Sequence, residues 1–87
     1  SPESSAEKII KVFKTLSEDN AMRMSVEDFN EAIFNEENPD EEFVMDAAAI
    51  AAESGVYLTE AEGFVLFIGK KAFKAMKKVT AKAVAKM

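Results

Sequence analysis

Histidine, cysteine and tryptophan are all absent from this chain of 87 residues. Without histidine and cysteine, the sequence lacks the commonest general base, the thiol nucleophile and the usual zinc ligands. The absence of cysteine also excludes disulfide bonds and fits a reducing compartment. We therefore expect a cytoplasmic protein that is not an enzyme and carries no metal or other cofactor.

Long apolar runs are absent too. The longest uninterrupted ones, residues 47–52 and 64–68, fall far short of the about 18 residues that a membrane-spanning helix requires. No basic region followed by an apolar segment opens the chain, so we expect no secretory signal. With 48% apolar and 31% charged residues, the composition is that of one folded domain with a modest core.

Acidic residues are missing from the last part of the chain. Residues 1–69 hold four cationic and sixteen acidic residues, a net charge of −12, whereas residues 70–87 hold seven lysines and no acid. An acidic body disfavours nucleic acid as the main partner, because binding to phosphate requires a basic surface. It favours a cationic partner instead.

The first part of the chain contains the signals of three helices. Apolar residues at helical spacing predict a first helix that ends near Leu16. Ser25, with Asp28 three places on, has the pattern of a capping box and predicts a second helix over residues 26–34. Pro39 followed by acids predicts a third helix that continues to about Glu53. The apolar residues of the first helix are Ile9, Ile10, Phe13 and Leu16.

The rest of the chain predicts one long helix. Gly55 should end the third helix in a left-handed conformation, and a short β-prone run, residues 56–58, follows it. Thr59 and Glu62 form a second capping box, so we expect a helix from about Glu60 to near Met87. Its end is basic and amphipathic, a kind of helix that calmodulin-like lobes or acidic membranes bind. The apolar stripe beyond Gly69 consists of Phe73, Met76, Thr80, Val84 and Met87.

The segment from Ser17 to Asp28 resembles the twelve-residue loop of the EF-hand. Met24 occupies the eighth position of the loop, and Asp28-Phe29 stands where Glu-Phe is usual. The pattern recurs thirty-four residues later, at Leu58-Thr59-x-x-Glu62 with Phe64. The resemblance implies an all-α fold, in which residues 1–69 form a calmodulin-like lobe of two paired EF-hands with four helices. Residues 70–87 would be an extended basic C-terminal helix, and a short β contact would join Met24 to Leu58.

The calcium ligands of the family are largely missing. An EF-hand loop requires oxygen ligands at positions 1, 3, 5 and 12 and glycine at position 6. Here position 5 is Ala21, position 6 is Met22 and position 12 is an aspartate, Asp28. The second loop provides no full set of ligands in either register, residues 51–62 or 52–63. We interpret both hands as degenerate and without calcium.

The resemblance implies a calcium-independent protein-interaction module with a light-chain-like, scaffold or regulatory role. Its partner would be a basic amphipathic helix of another protein, or its own C-terminal helix. The predicted groove residues are Phe13, Leu16, Phe29, Ile33, Met45, Phe64 and Phe67. The residues predicted to dock the tail are Phe73, Met76, Val84 and Met87.

A second interpretation remains open. The alternative is a structural helical domain whose lysine-rich tail mediates self-association or contacts an acidic surface or a membrane. A homodimer is compatible with both interpretations. The sequence does not identify the partner.

Both loops lack several of the calcium ligands of an EF-hand, which generates a first prediction. Adding millimolar calcium at physiological magnesium should leave helicity and melting temperature unchanged, because neither loop can complete a calcium shell. Circular dichroism and calorimetry measure this. Calorimetric binding tighter than about 0.1 mM would contradict the interpretation.

Overall fold

The computed structural model describes residues 1–16 and 21–76, without the side chains of Leu16, Ala21, Ala75 and Met76. This part of the chain forms four helices and a three-stranded antiparallel sheet, so the predicted all-α, four-helix fold is wrong. A π-helical segment, Asn30–Phe34, continues the second helix without a break. The elements are α1 (Pro2–Leu16), β1 (Ala21–Ser25), α2 (Val26–Phe29), α3 (Glu41–Glu53), β2 (Val56–Ala61), β3 (Phe64–Gly69) and α4 (Lys70–Met76).

The first three helices follow the local signals of the sequence. The Ser25 hydroxyl accepts a hydrogen bond from the backbone N–H of Asp28 at 3.2 Å, which confirms the predicted cap of α2. Asp40 caps α3, because its carboxylate accepts the backbone N–H groups of Glu42 and Phe43. Just beyond α3, Gly55 has a φ of +88°, the left-handed conformation expected there. Helices α2 and α3 therefore begin where a side chain accepts hydrogen bonds from free backbone N–H groups.

The second half of the chain differs from the prediction. Thr59 does not cap a helix, since it lies in β2 opposite Leu66 of β3. The predicted helix over residues 60–69 is instead the end of β2, a two-residue turn and β3. Glu62 and Gly63 form the turn with positive φ angles of 52° and 80°, as a tight hairpin requires at both central residues. The last helix starts only at Lys70, and residues 77–87 of the predicted extension lie outside the described residues.

Strand β3 occupies the centre of the sheet, with β1 and β2 antiparallel on either side. Met24 of β1 pairs with Val65, whereas Leu58 of β2 pairs with Phe67. The predicted β contact between Met24 and Leu58 is therefore wrong. The two residues belong to one sheet, but the central strand separates them.

The core lies between the inner face of the sheet and the helices. Phe67 and Leu58 have no exposed surface, and Phe67 packs edge-to-face on Phe29 with 5.8 Å between ring centroids. On α3 the small side chains of Ala47 and Ala51 are also fully buried, and α1 packs against this helix. The small side chain of alanine allows the two helices to pack closely.

Helix α2 with its π-helical segment, a turn over residues 35–40 and α3 form a helix-turn-helix unit. The β2–β3 hairpin follows this unit as a wing. The order of elements is therefore helix, strand, two helices, hairpin and a last short helix. None of the described helices is long and apolar enough to cross a membrane.

Successive side chains of β2 lie alternately in the core and on the outer face of the sheet. This alternation generates a prediction about two neighbouring residues. Leu58→Ala should lower the free energy of unfolding by about 2–5 kcal/mol, because it leaves a cavity in the core. Thr59→Ala, on the opposite face of the strand, should cost less than about 1 kcal/mol. Urea unfolding of both variants measures the difference. Equal losses would contradict the register, since a shift of one residue exchanges the two faces.

The cap of α2 generates another prediction. Ser25→Ala should cost about 1 kcal/mol, because it leaves the Asp28 N–H without its acceptor. Ser25→Thr retains a hydroxyl and should recover most of that loss. If the Ser25→Ala and Ser25→Thr variants unfold at the same urea concentration, the capping role of Ser25 is contradicted.

Candidate functional site

A cleft of about 230 Å³ opens beside the helix-turn-helix unit. Five apolar residues line it: Val26 and Phe29 of α2, Pro39 of the turn, Val44 of α3 and Val65 of β3. Phe29, Val44 and Val65 are buried, so they form an apolar floor. We refer to this cleft, together with the acidic residues around it, as the acidic cleft.

Carboxylates form the walls of the acidic cleft. Glu37 comes from the turn, Glu41 from the first turn of α3 and Glu60 from the end of β2. A neighbouring hollow shares Val26 and Glu37 with the cleft and adds two more acids, Glu27 and Glu31. All five side chains are exposed. The result is an apolar floor within a rim of carboxylates contributed by four separate parts of the chain.

Two hydrogen bonds to backbone carbonyls hold the walls of the cleft in place. The Asn30 side-chain amide donates to the carbonyl of Glu37 at 2.9 Å and ties the turn to the helix before it. At the other wall, the backbone N–H of Val26 donates to the carbonyl of Gly63 at 3.0 Å. This bond attaches the tip of the hairpin to the start of α2, where a helix has free N–H groups. The left-handed Asn35, with a φ of 57°, lets the chain leave the helix and enter the turn.

The outer face of the sheet is a second apolar surface. Tyr57 and Thr59 of β2 and Phe64 and Leu66 of β3 lie on it, and all four are half-buried. Arg23 of β1 extends over the Phe64 ring, with its guanidinium carbon 4.4 Å from the ring centroid. Such a cation–π contact leaves the ring covered from one side only.

The structure places three of the seven predicted groove residues in the core. Phe29, Ile33 and Phe67 are each at most 1% exposed, so a partner cannot contact them without unfolding part of the domain. Phe13 packs half-buried against the core, and Met45 is exposed on α3. Of the predicted groove set, Phe29 alone lines the acidic cleft. Phe64 lies on the outer face of the sheet, and the side chain of Leu16 lies outside the described part of the chain.

The predicted tail residues are placed only in part. The Phe73 ring stacks on the Tyr57 ring, with centroids 3.9 Å apart and planes 12° apart. Helix α4 therefore returns to the outer face of the sheet directly after β3. The side chain of Met76, and Thr80, Val84 and Met87 as a whole, lie outside the described residues.

Sequence reasoning missed the acids of the cleft. Glu36-Glu37 and Glu41-Glu42 flank the Asn38-Pro39 turn between two amphipathic helices. The pairs of acids on both sides of the turn were a signal of an acidic site, but we interpreted them only as part of a helix start. Glu60 could not have been found, because its position depends on a hairpin that the sequence did not predict. Among the described residues, no three acids come together in an arrangement that could hold a metal ion.

Comparison of the chain with family models, with characterised proteins and with solved structures found no match. The resemblance to EF-hand proteins thus stays a prediction, although the four-helix fold that it implied is wrong. The shared order of elements with helix-turn-helix domains is a likeness of topology, and topology alone does not determine function. The acidic cleft and the outer sheet face are therefore the surfaces from which a function can be inferred.

Proposed function

We propose that the protein is a calcium-independent interaction module that binds a basic amphipathic helix of a partner protein in the acidic cleft. The observation that carries the proposal is the combination of a buried apolar floor with exposed carboxylates on every wall. We place this activity in the cytoplasm, since the chain contains no cysteine. An interaction module of this kind would act as a scaffold or as a regulator of its partner.

The charge of the cleft supports a cationic partner. Glu37, Glu41 and Glu60 line the cleft itself, and the hollow beside it adds Glu27 and Glu31. The negative charge of the cleft accelerates the encounter with a lysine-rich helix and repels acidic helices. Val26 and Pro39, the partly exposed apolar residues of the cleft, then contact an aliphatic anchor of the same helix.

The charge of α3 argues against nucleic acid as the partner. In DNA-binding helix-turn-helix proteins, the second helix of the unit enters the major groove beside the phosphates. Here that helix is α3, and its exposed residues include Glu41, Glu42, Asp46 and Glu53. A helix with these charges repels the phosphate backbone, because phosphate binding requires lysine or arginine.

A defined probe tests the proposal. A synthetic amphipathic helix made of leucine and lysine should bind the full chain, and a scrambled peptide of the same composition should bind less. The triple variant Glu31→Gln, Glu37→Gln and Glu41→Gln should weaken binding about tenfold, since each exposed ion pair contributes about 0.2–1 kcal/mol. Titration calorimetry or fluorescence anisotropy measures the affinities.

A matched control separates the cleft from the overall charge. The variant Glu3→Gln, Glu7→Gln and Glu53→Gln removes the same number of exposed carboxylates, and none of these lines the cleft. It should retain an affinity close to that of the unmodified chain. Equal weakening in both triple variants, or equal binding of the helical and scrambled peptides, would refute a site in the cleft.

A further inference from the structure

Helix α3 presents an acidic stripe to solvent, with an apolar side chain in its middle. Its buried residues recur three or four places apart and face the core, and exposed residues recur with the same spacing on the opposite side. We refer to these exposed residues as the α3 stripe: Glu42, Met45, Asp46, Ala49 and Glu53. In the described part of the chain, Met45 is the only large apolar side chain that is exposed.

The outer face of the sheet has the opposite charge. Leu66 and Phe64 at its centre are half-buried, and Arg23 beside them is exposed. None of the described side chains on this face is acidic, since Glu60 pairs with Val65 and so belongs to the inner face. Helix α4 borders the outer face and adds three exposed lysines: Lys70, Lys71 and Lys74.

We infer that the α3 stripe of one copy of this chain docks on the outer sheet face of a second copy. Met45 and Ala49 pack on Leu66 and Phe64, which removes apolar surface from water on both sides. The carboxylates that flank Met45 approach Arg23 and the lysines of α4. Charge therefore favours an acidic helix as the occupant of this face, and the chain itself carries such a helix.

The dimensions of the two surfaces agree. From Met45 to Ala49, a helix advances about 6 Å along its axis, and from Leu66 to Phe64 the strand advances about 7 Å. Strands β1 and β2 are separated by one strand and thus lie about 10 Å apart. This width is that of one helix with its side chains, about 10–12 Å. A single helix therefore covers the half-buried centre of the face.

One copy cannot make this contact with itself. The α3 stripe faces away from the core, whereas the outer face lies on the far side of the sheet. Because two different surfaces meet, the contact is head-to-tail, and each assembly retains one stripe and one face for further copies. Association continues beyond a dimer as the concentration rises. The inference does not depend on the acidic cleft, since neither Met45 nor Asp46 lines it.

Charge reversal in the full chain tests the inference. The stripe variant carries Asp46→Lys and Glu53→Lys, and the face variant carries Arg23→Glu and Lys74→Glu. All four side chains are exposed, and circular dichroism verifies that each variant keeps the fold. Sedimentation velocity over a series of concentrations, at low salt, measures the association.

A control variant separates the two surfaces from the overall charge. Glu3→Lys with Glu7→Lys changes two exposed acids of α1, gives the same net charge as the stripe variant and leaves both surfaces intact. The unmodified chain and this control should gain mass with concentration, beyond that of a dimer. The stripe variant and the face variant, each alone, should associate at least about tenfold more weakly, because attraction between the surfaces becomes repulsion.

An equimolar mixture of the stripe and face variants should recover association, because the introduced lysines of one meet the introduced glutamates of the other. Both variants keep a negative net charge, so general attraction does not explain such a recovery. A chain that stays monomeric at every concentration would overturn the inference and leave the face to a different protein. Association that stops at a dimer would overturn it in favour of a symmetric contact. A mixture that associates as weakly as its components would show that these two surfaces do not meet.

Discussion

The contact of Phe67 with Phe29 joins the two halves of the domain. Phe67 belongs to the central strand and Phe29 to the second helix, and the rings meet edge-to-face in the fully buried centre of the molecule. Phe29 also packs edge-to-face on Phe34, which in turn contacts Phe43 of α3 in the same geometry. A continuous series of aromatic contacts thus connects the sheet with the helix-turn-helix unit. Aromatic pairs of this geometry add to the stabilisation by burial itself.

The position of β3 determines both candidate surfaces. Its inner face contributes Val65 to the floor of the acidic cleft, while its outer face presents Leu66 and Phe64. The hydrogen bond from Val26 to Gly63 holds the hairpin against α2, so that Glu60 reaches the wall of the cleft. One strand therefore separates an acidic, partly apolar cleft from an apolar sheet face. The two surfaces differ in charge and fit different occupants.

Local signals predicted the three helices in the first half of the chain, but not β1, which lies within the segment that resembles an EF-hand loop. The cap at Ser25 and the left-handed Gly55 act within a few residues of themselves, so sequence reasoning found them, whereas the cap at Asp40 was found only in the structure. The second half misled that reasoning because Thr59 and Glu62 have the spacing of a capping box. The run from Phe64 to Ile68 between two glycines was the contrary signal. Five consecutive apolar residues suit a strand with two covered faces better than a helix with one apolar stripe.

By itself, the sequence determined the acidic body, the basic end, the first three helices and the apolar stripe that begins at Phe73. These properties depend on charge, on periodicity and on interactions between near neighbours. Only the tertiary structure decided that residues 56–69 form a hairpin, that β3 lies between β1 and β2, and that Phe29 and Phe67 are core residues. The physical reason is that a strand gains its hydrogen bonds from partners distant in the chain. In this domain β3 pairs with β1, so that Met22 lies opposite Phe67, more than forty residues later in the chain. No local sequence pattern specifies such a contact.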